Sequence, residues 1–442
     1  MRVYQINNMA NAGGAAIAAK RLNQGLIQAG IDSQFLSPHL PVDQASPAAR
    51  PIYFGNSLRE KVWRRWRHLQ LGGMRRRHQP RPTKYDLFCC DLSCYGMALL
   101  DACRGADLLH FHCVSDLLDY PYVLPRLARN VPLVWTLHDM NPMTGGCIYA
   151  RDCKAFHSIC GCCPELASNQ RVDLSTDVWR RKADAIGRLR PPVALVTPSR
   201  WLAGEASRSG LLGKFPVECI PNGLDTNLFS PKDRREAKLQ LGIQPDAPVV
   251  LFVAATLDNP WKGASYLAQA LPMILNQCSE VRFVAIGDLQ QKASWPGQVL
   301  ALAGRSEKEM PQVYARADLL VVPSIADNFP NVILEAMACG VPSVGFDVGG
   351  IPEAIGRDGE TGLLAAEKSS TALAETVCRL LPEIMRDRAG WEQRCRSRAI
   401  REFDVEKQAR RYARLYDSLL GMPQCSGGSV TRATPATCQC AT

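Results

Sequence analysis

The chain of 442 residues has no apolar run approaching the ~20 residues that a membrane-spanning helix needs. The longest run, 247–257, contains Pro248 and is closed by Asp258, which suits a buried strand. The first residues lack the charged start and the cleavage site of a signal peptide, and 1–7 have a strand pattern instead. Both absences lead to the expectation of a cytoplasmic protein. No internal repeat of solenoid length is present. No nucleic-acid-binding motif accompanies the basic residues, so nucleic acid is not expected as a partner.

What is present points to a folded enzyme-sized chain. A composition of 46% hydrophobic and 21% charged residues is that of a globular protein. The length exceeds one ordinary core, so two domains are expected. The 18 cysteines mostly stand singly in apolar segments (Cys219, Cys339, Cys378), where a thiol behaves as a small hydrophobe. The net charge of +10 is uneven. Residues 59–81 carry Arg59, Lys61, Arg64, Arg65, Arg67, Arg75, Arg76, Arg77 and Arg81 against the single acid Glu60, with Trp63 and Trp66 between them. Such a segment suits either the anionic inner face of a membrane, as a peripheral contact, or plain solvation as a basic loop.

Strand and helix patterns alternate in both halves, which argues for α/β architecture with parallel sheets covered by helices. In the first half, 3–7, 108–113, 133–138 and 194–198 have strand patterns, with helical patterns at 15–29 and 201–209. The second half restarts at 249–256 and continues with 281–287, 299–303, 319–323 and 341–346. Ile220-Pro221-Asn222-Gly223 is a turn-forming cluster between the halves. The expected organisation is a Rossmann-like domain over 1–219, a second over 220–402, a helix over 403–420 and a disordered tail over 421–442. Two doubly wound domains facing each other leave a central cleft at the carboxyl ends of both sheets, where such folds bind ligands.

The residues that follow strands carry the chemistry. After 319–323 comes a loop with Asp327, then Pro330 suited to a helix entry, Asn331 as its N-cap, and Glu335 in the first turns. Backbone N–H groups near Asn331 and Val332 would meet phosphate, and a nearby carboxylate would accept from a ribose diol. Lys262 follows 249–256 and is placed to neutralise a departing diphosphate. Gly13 and Gly14 let the backbone approach a bound group closely after the first strand, although Asn11-Ala12-Gly13-Gly14-Ala15 is neither a dinucleotide fingerprint nor a P-loop. His138 and Asp139 end another strand and face the same cleft, with Asp139 expected to orient the His138 ring or to contact the acceptor. Arg200 is a further candidate for phosphate or acceptor contact.

The string from Asp327 to Pro342, followed by Gly349-Gly350-Ile351-Pro352-Glu353, resembles the retaining, family-four type of GT-B glycosyltransferases from residue 1 to about residue 420. The spacing of Asp327 and Glu335 is that of the family's paired acids, E-x7-E, with Asp at the first position. The resemblance implies a GT-B fold and transfer of a sugar from a nucleotide-diphosphate donor, without a catalytic metal, to a glycan or lipid-linked acceptor. It also implies Glu335 on the ribose, Asp327 near the transferred sugar, and His138 as the cleft histidine. The Arg usually found before the family's Lys is replaced by Ala255 and Thr256, with Arg305 as a substitute source of charge. A subset of the resembling bacterial enzymes, active in polysaccharide assembly, shares a His-Asp followed by a Cys-rich loop. Here Cys147, Cys153, Cys160 and Cys163 would clasp a structural zinc, form a disulfide or stay reduced. The rival functions are a non-catalytic nucleotide-sugar or glycan-binding subunit and a nucleotide-sugar epimerase.

Overall fold

The computed structural model describes residues 1–77, 88–288 and 299–421. The end of the basic segment (78–81) and most of the expected tail (422–442) lie outside the described residues.

Two parallel sheets form, one from each half. The first runs β3-β2-β1-β4-β5-β6-β7. Its strands are β1 (Arg2–Ile6), β2 (Asp32–Ser37), β3 (Ala49–Pro51), β4 (Leu108–Phe111), β5 (Leu133–Thr136), β6 (Val193–Thr197) and β7 (Val217–Cys219). The second runs β10-β9-β8-β11-β12-β13, from β8 (Val249–Thr256), β9 (Arg282–Asp288), β10 (Val299–Leu302), β11 (Leu319–Val322), β12 (Ser343–Phe346) and β13 (Gly362–Ala365). The central strands β4, β5, β6, β11 and β12 are buried along their whole length. Helices cover both faces of such sheets, so these strands are apolar runs and do not alternate.

Strand order reverses between β1 and β4, where Val3 pairs with Leu108 and Ile6 with Phe111. It reverses again between β8 and β11, where Leu319 pairs with Val250. In doubly wound sheets, connections depart to opposite faces at such a point and leave a crevice beyond the strand ends. The Gly13 turn follows β1 and His112 follows β4; Lys262 follows β8 and Asp327 follows β11. Topology alone therefore carries these four segments to the two crevices.

The chain crosses between the sheets twice, side by side. The Leu224 N–H donates to the Phe403 carbonyl at 2.9 Å, and the Val405 N–H donates to the Leu224 carbonyl at 3.0 Å. After the second crossing the Val405–Leu420 helix packs on the first domain, where Tyr412 and Tyr416 are fully buried with Leu22, Leu26 and Val134. The closing helix thus belongs to the first core in space and to the second in sequence. The basic segment is a helix, α2 (Leu58–Arg77), pinned by one face. Its Arg67 is buried against Asp119 at 2.6 Å, and the Trp63 ring packs tilted against Tyr122 with centroids 4.2 Å apart.

Candidate active site

The second domain contributes one wall of the cleft. The Asn331–Ala338 helix has Pro330 at its N-cap, so Asn331 is the first helical residue and not the cap expected from its type. Pro330 already fixes the entry φ and lacks an N–H, so the Asn331 side chain is released for another use. Its Oδ1 accepts from Asn222 at 3.0 Å, and its Nδ2 donates to the Gly14 carbonyl at 2.9 Å. The helix start, with the backbone N–H groups of Asn331 and Val332, is thereby held against the Gly13–Gly14 turn. Gly13 sits at φ +84° as the N-cap of the helix α1 (Gly14–Gln28), a conformation that suits glycine.

Lys262 and Asp327 come together. The Lys262 ammonium is 2.6 Å from an Asp327 carboxylate oxygen, with the lysine one-third exposed. Gly263, at φ +71°, allows this approach, since a Cβ there would run into the Pro323 carbonyl oxygen at the end of β11. The turn next to Lys262 also receives a cation from the first domain, because the Arg151 guanidinium lies over the Trp261 ring at 4.6 Å. Arg305 is exposed beyond β10, near Arg316. Arg151 lies inside the Cys-rich loop, between Cys147 and Cys153, and nothing in the sequence ties it to the Lys262 turn.

Glu335 is buried, and both of its oxygens have protein donors. Arg21 of α1 donates at 2.8 Å and the Tyr314 hydroxyl at 2.7 Å. Arg21 also binds Glu307 at 2.7 Å, and its Nη1 is buried with no hydrogen-bond partner among the described residues. A carboxylate has about four acceptor positions, so Glu335 retains capacity beyond these two donors. Burial, followed by the Glu335 charge, holds the Tyr314 hydroxyl well above its usual pKa, so it stays a donor.

The first domain contributes a wall of neutral groups. Asn328 Nδ2 donates to the backbone carbonyls of His138 and Leu137, each at 3.2 Å. Ser199 completes this clasp by donating to Asn328 Oδ1 at 2.6 Å. Asn328, inside the acidic motif but not singled out by its type, therefore ties the donor-side loop to the ends of β5 and β6. The His138 ring meets His112 at 3.0 Å. Asp139 does not orient that ring. It accepts from the Asn141 N–H at 2.8 Å and faces the Cys113 thiol, with burial raising its pKa. Arg200 stands apart from this set: its backbone N–H caps onto Glu353 at 2.8 Å, and the residue lines a separate cavity of about 510 Å³ with Cys219, Arg357 and Arg398.

Cys147, Cys153, Cys160 and Cys163 line one cavity of about 260 Å³ with Tyr149, Arg151 and Phe156. They are free thiols. Burial pushes the Cys160 thiol up to about 11 and raises Cys147 and Cys163 as well, which favours the neutral form. Among the described residues, no three His, Cys, Asp or Glu side chains converge on a point that would hold a metal. As arranged, the loop is secured by hydrogen bonds: buried Lys182 donates to the carbonyls of Asn141 at 2.6 Å and Thr144 at 3.2 Å.

Comparison with known proteins accounts for both halves. A family described as Glycosyl transferases group 1 matches residues 247–383, and Glycosyltransferase Family 4 matches residues 12–228. The D-inositol 3-phosphate glycosyltransferase of Actinosynnema mirum is 34% identical over 192 residues, covering 39% of this chain and 45% of that one. The enzyme of the same name from Nocardia farcinica is 31% identical over 188 residues, covering 39% and 41%. The match thus spans less than half the length of these curated relatives. Among solved structures, HepE of Anabaena in complex with UDP-glucose superposes with a TM-score of 0.64 at 18% identity, over 95% of this chain and 100% of that one. Sucrose-phosphate synthase of Thermosynechococcus elongatus gives 0.63 at 19% identity, over 95% and 99%. Two facing Rossmann-like domains of this kind are the GT-B fold, and with both halves matched the chain belongs to the group 1, family 4 glycosyltransferases.

Proposed function

We propose that the chain transfers a sugar from a nucleotide-diphosphate donor, with retention at the anomeric carbon, to a glycan or lipid-linked acceptor in polysaccharide assembly. The observation that carries this reading is the wall formed by Lys262, Asp327 and the helix start at Asn331, facing Gly14 across the cleft. The diphosphate would lie on the N–H groups of Asn331 and Val332, where the helix dipole favours anions. Lys262 would leave Asp327 for the phosphate as the sugar–phosphate bond lengthens, stabilising charge that develops in the transition state. The ribose diol would share the Glu335 carboxylate with Arg21 and Tyr314. His138 would contact the sugar. The structure of HepE with UDP-glucose makes a uridine diphosphate sugar the first donor to test.

The acceptor would be met at a membrane surface. Leu58, Val62, Trp66 and Leu69 form an exposed apolar stripe on α2, flanked by exposed Arg59, Lys61 and Arg65. A stripe with cationic flanks on a helix lying flat matches an anionic lipid interface on the inner face. Among the described residues no helix is long and apolar enough to cross a membrane, so this contact would be peripheral.

The decisive experiment incubates purified protein with UDP- and GDP-sugars, with and without candidate acceptors. Transfer that is lost in Lys262→Ala supports the proposal. Donor binding with no transfer or hydrolysis points to a binding subunit, and donor conversion without acceptor points to an epimerase.

A further inference from the structure

Behind His138 lies a continuous chain of buried hydrogen bonds that crosses the first sheet at the ends of its strands. His138 Nε2 meets His112 Nδ1 at 3.0 Å. His112 Nε2 meets Gln5 Oε1 at 2.6 Å. Gln5 Nε2 donates to the Tyr416 hydroxyl at 3.2 Å, and Tyr416 meets His110 Nδ1 at 2.7 Å. His110 Nε2 continues to Thr136 at 2.7 Å, and Thr136 to Tyr412 at 2.8 Å. Gln5, His110 and His112 are buried, and the His110 and His112 rings stack at 4.1 Å.

Such a chain has a direction, because each atom in it either donates or accepts. An amide oxygen only accepts, so the hydrogen between His112 and Gln5 belongs to His112 Nε2. Burial, reinforced by the neighbouring histidines, holds His112 well below its ordinary pKa, so the ring is neutral with one N–H. Its Nδ1 is therefore a bare lone pair, and the hydrogen toward His138 belongs to His138 Nε2. Burial lowers His138 to about 4, so that ring is also neutral. The remaining nitrogen, Nδ1, carries no hydrogen. The same direction continues through Tyr416 donating to His110 and His110 donating to Thr136, with every group satisfied.

We propose that Gln5 and His112 are positioning residues that lock His138 in its Nε2–H tautomer and so present Nδ1 to the cleft as an acceptor for a hydroxyl of the bound sugar. The tautomer of a histidine is set by the bond its other nitrogen makes. The hydroxyl contact rests on the reading of His138 under Proposed function; the tautomer does not. A site built to accept from a hydroxyl discriminates against an analogue that lacks it, since the lone pair then stays unpaired. Asp139 takes no part in this: its carboxylate is turned to Asn141 and Cys113.

The test combines nitrogen-15 spectra of the protein's seven histidines, His138 being assigned by substitution, with transfer kinetics on UDP-glucose and its deoxy analogues. The expected result is a neutral His138 with hydrogen on Nε2 in the unmodified protein. His112→Asn, whose amide oxygen still accepts at the Nδ1 position, keeps that tautomer. His112→Leu mixes the tautomers, lowers kcat by about tenfold or more with a smaller change in KM, and reduces discrimination against one deoxy donor. Hydrogen on His138 Nδ1 in the unmodified protein overturns the proposal without any variant. Equal kcat losses in the Asn and Leu variants with an unchanged tautomer overturn it as well. Absence of transfer in the unmodified protein, with the Nε2–H tautomer present, removes the proposed function and leaves the hydrogen-bond chain standing.

Discussion

The two walls of the cleft are built on opposite electrostatic plans. The second domain presents charge: Lys262 against Asp327 at 2.6 Å, and Glu335, which Arg21 reaches from α1 of the first domain at 2.8 Å. Beside Arg21, the first presents neutral amides and buried imidazoles, and desolvation pushes the pKa values of those imidazoles down. Charged groups suit a diphosphate, whose negative charge grows as the sugar leaves. Neutral acceptors suit sugar hydroxyls, and a cation beside a forming oxocarbenium-like centre would oppose it. The difference between the walls is thus a division of labour between leaving group and sugar.

The largest expected effect comes from removing the charge on the donor wall. Lys262→Ala should lower kcat by about 10²–10³-fold, the scale of losing one electrostatic donor to a developing anion. Donor affinity measured by calorimetry should change less. An equal loss in Arg200→Ala would break the comparison, since Arg200 lines a different cavity. Glu335→Gln keeps the shape but not the charge that holds Arg21 and Tyr314. It should weaken donor binding by roughly 10- to 100-fold, as expected for hydrogen bonds to a charged group, read as KM for the nucleotide sugar.

Acid sharpens the comparison by acting on the neutral wall. His110, His112 and His138 are less basic in the fold than in the unfolded chain. The unfolded state therefore binds more protons below pH ~6.5. Stability should be full above that value and fall as pH drops toward 4, the lowered His138 pKa. A scan from pH 7 to 5 should lower Tm by a few degrees, at roughly 2–4 °C per kcal/mol. A Tm that rises on acidification would contradict buried neutral histidines. The smallest effect concerns neither wall. Val62→Glu with Leu69→Glu should reduce cosedimentation with anionic vesicles several-fold and leave kcat on a soluble acceptor unchanged, because both side chains are exposed on α2.

Much of this organisation was legible from the chain. The strands β1, β4, β5, β6, β8 and β11 emerge as apolar segments because parallel strands are buried on both faces. Short edge strands such as β3, three residues long, carry too little pattern to be seen. For 59–81 the sequence fits a solvated basic loop or a membrane contact alike; in the fold, 58–77 is a helix pinned by Arg67 on Asp119, 52 residues away in the chain. The motif from Asp327 to Glu335 was visible because its residues are contiguous. The roles of Arg21, Arg151, Asn328 and His112 were not, since each acts on a partner that only folding brings near.

Sequence by itself therefore determined the class of architecture, the turns that bear chemistry and the residue types in them, because periodicity and local turn preferences are properties of neighbours along the chain. Tertiary structure decided which groups are charged and which are neutral, who holds whom across the cleft, and that Tyr416 and Tyr412 of the final helix join a line of hydrogen bonds from His138. Those properties depend on desolvation and on contacts hundreds of residues apart, and both exist only once the two domains are packed.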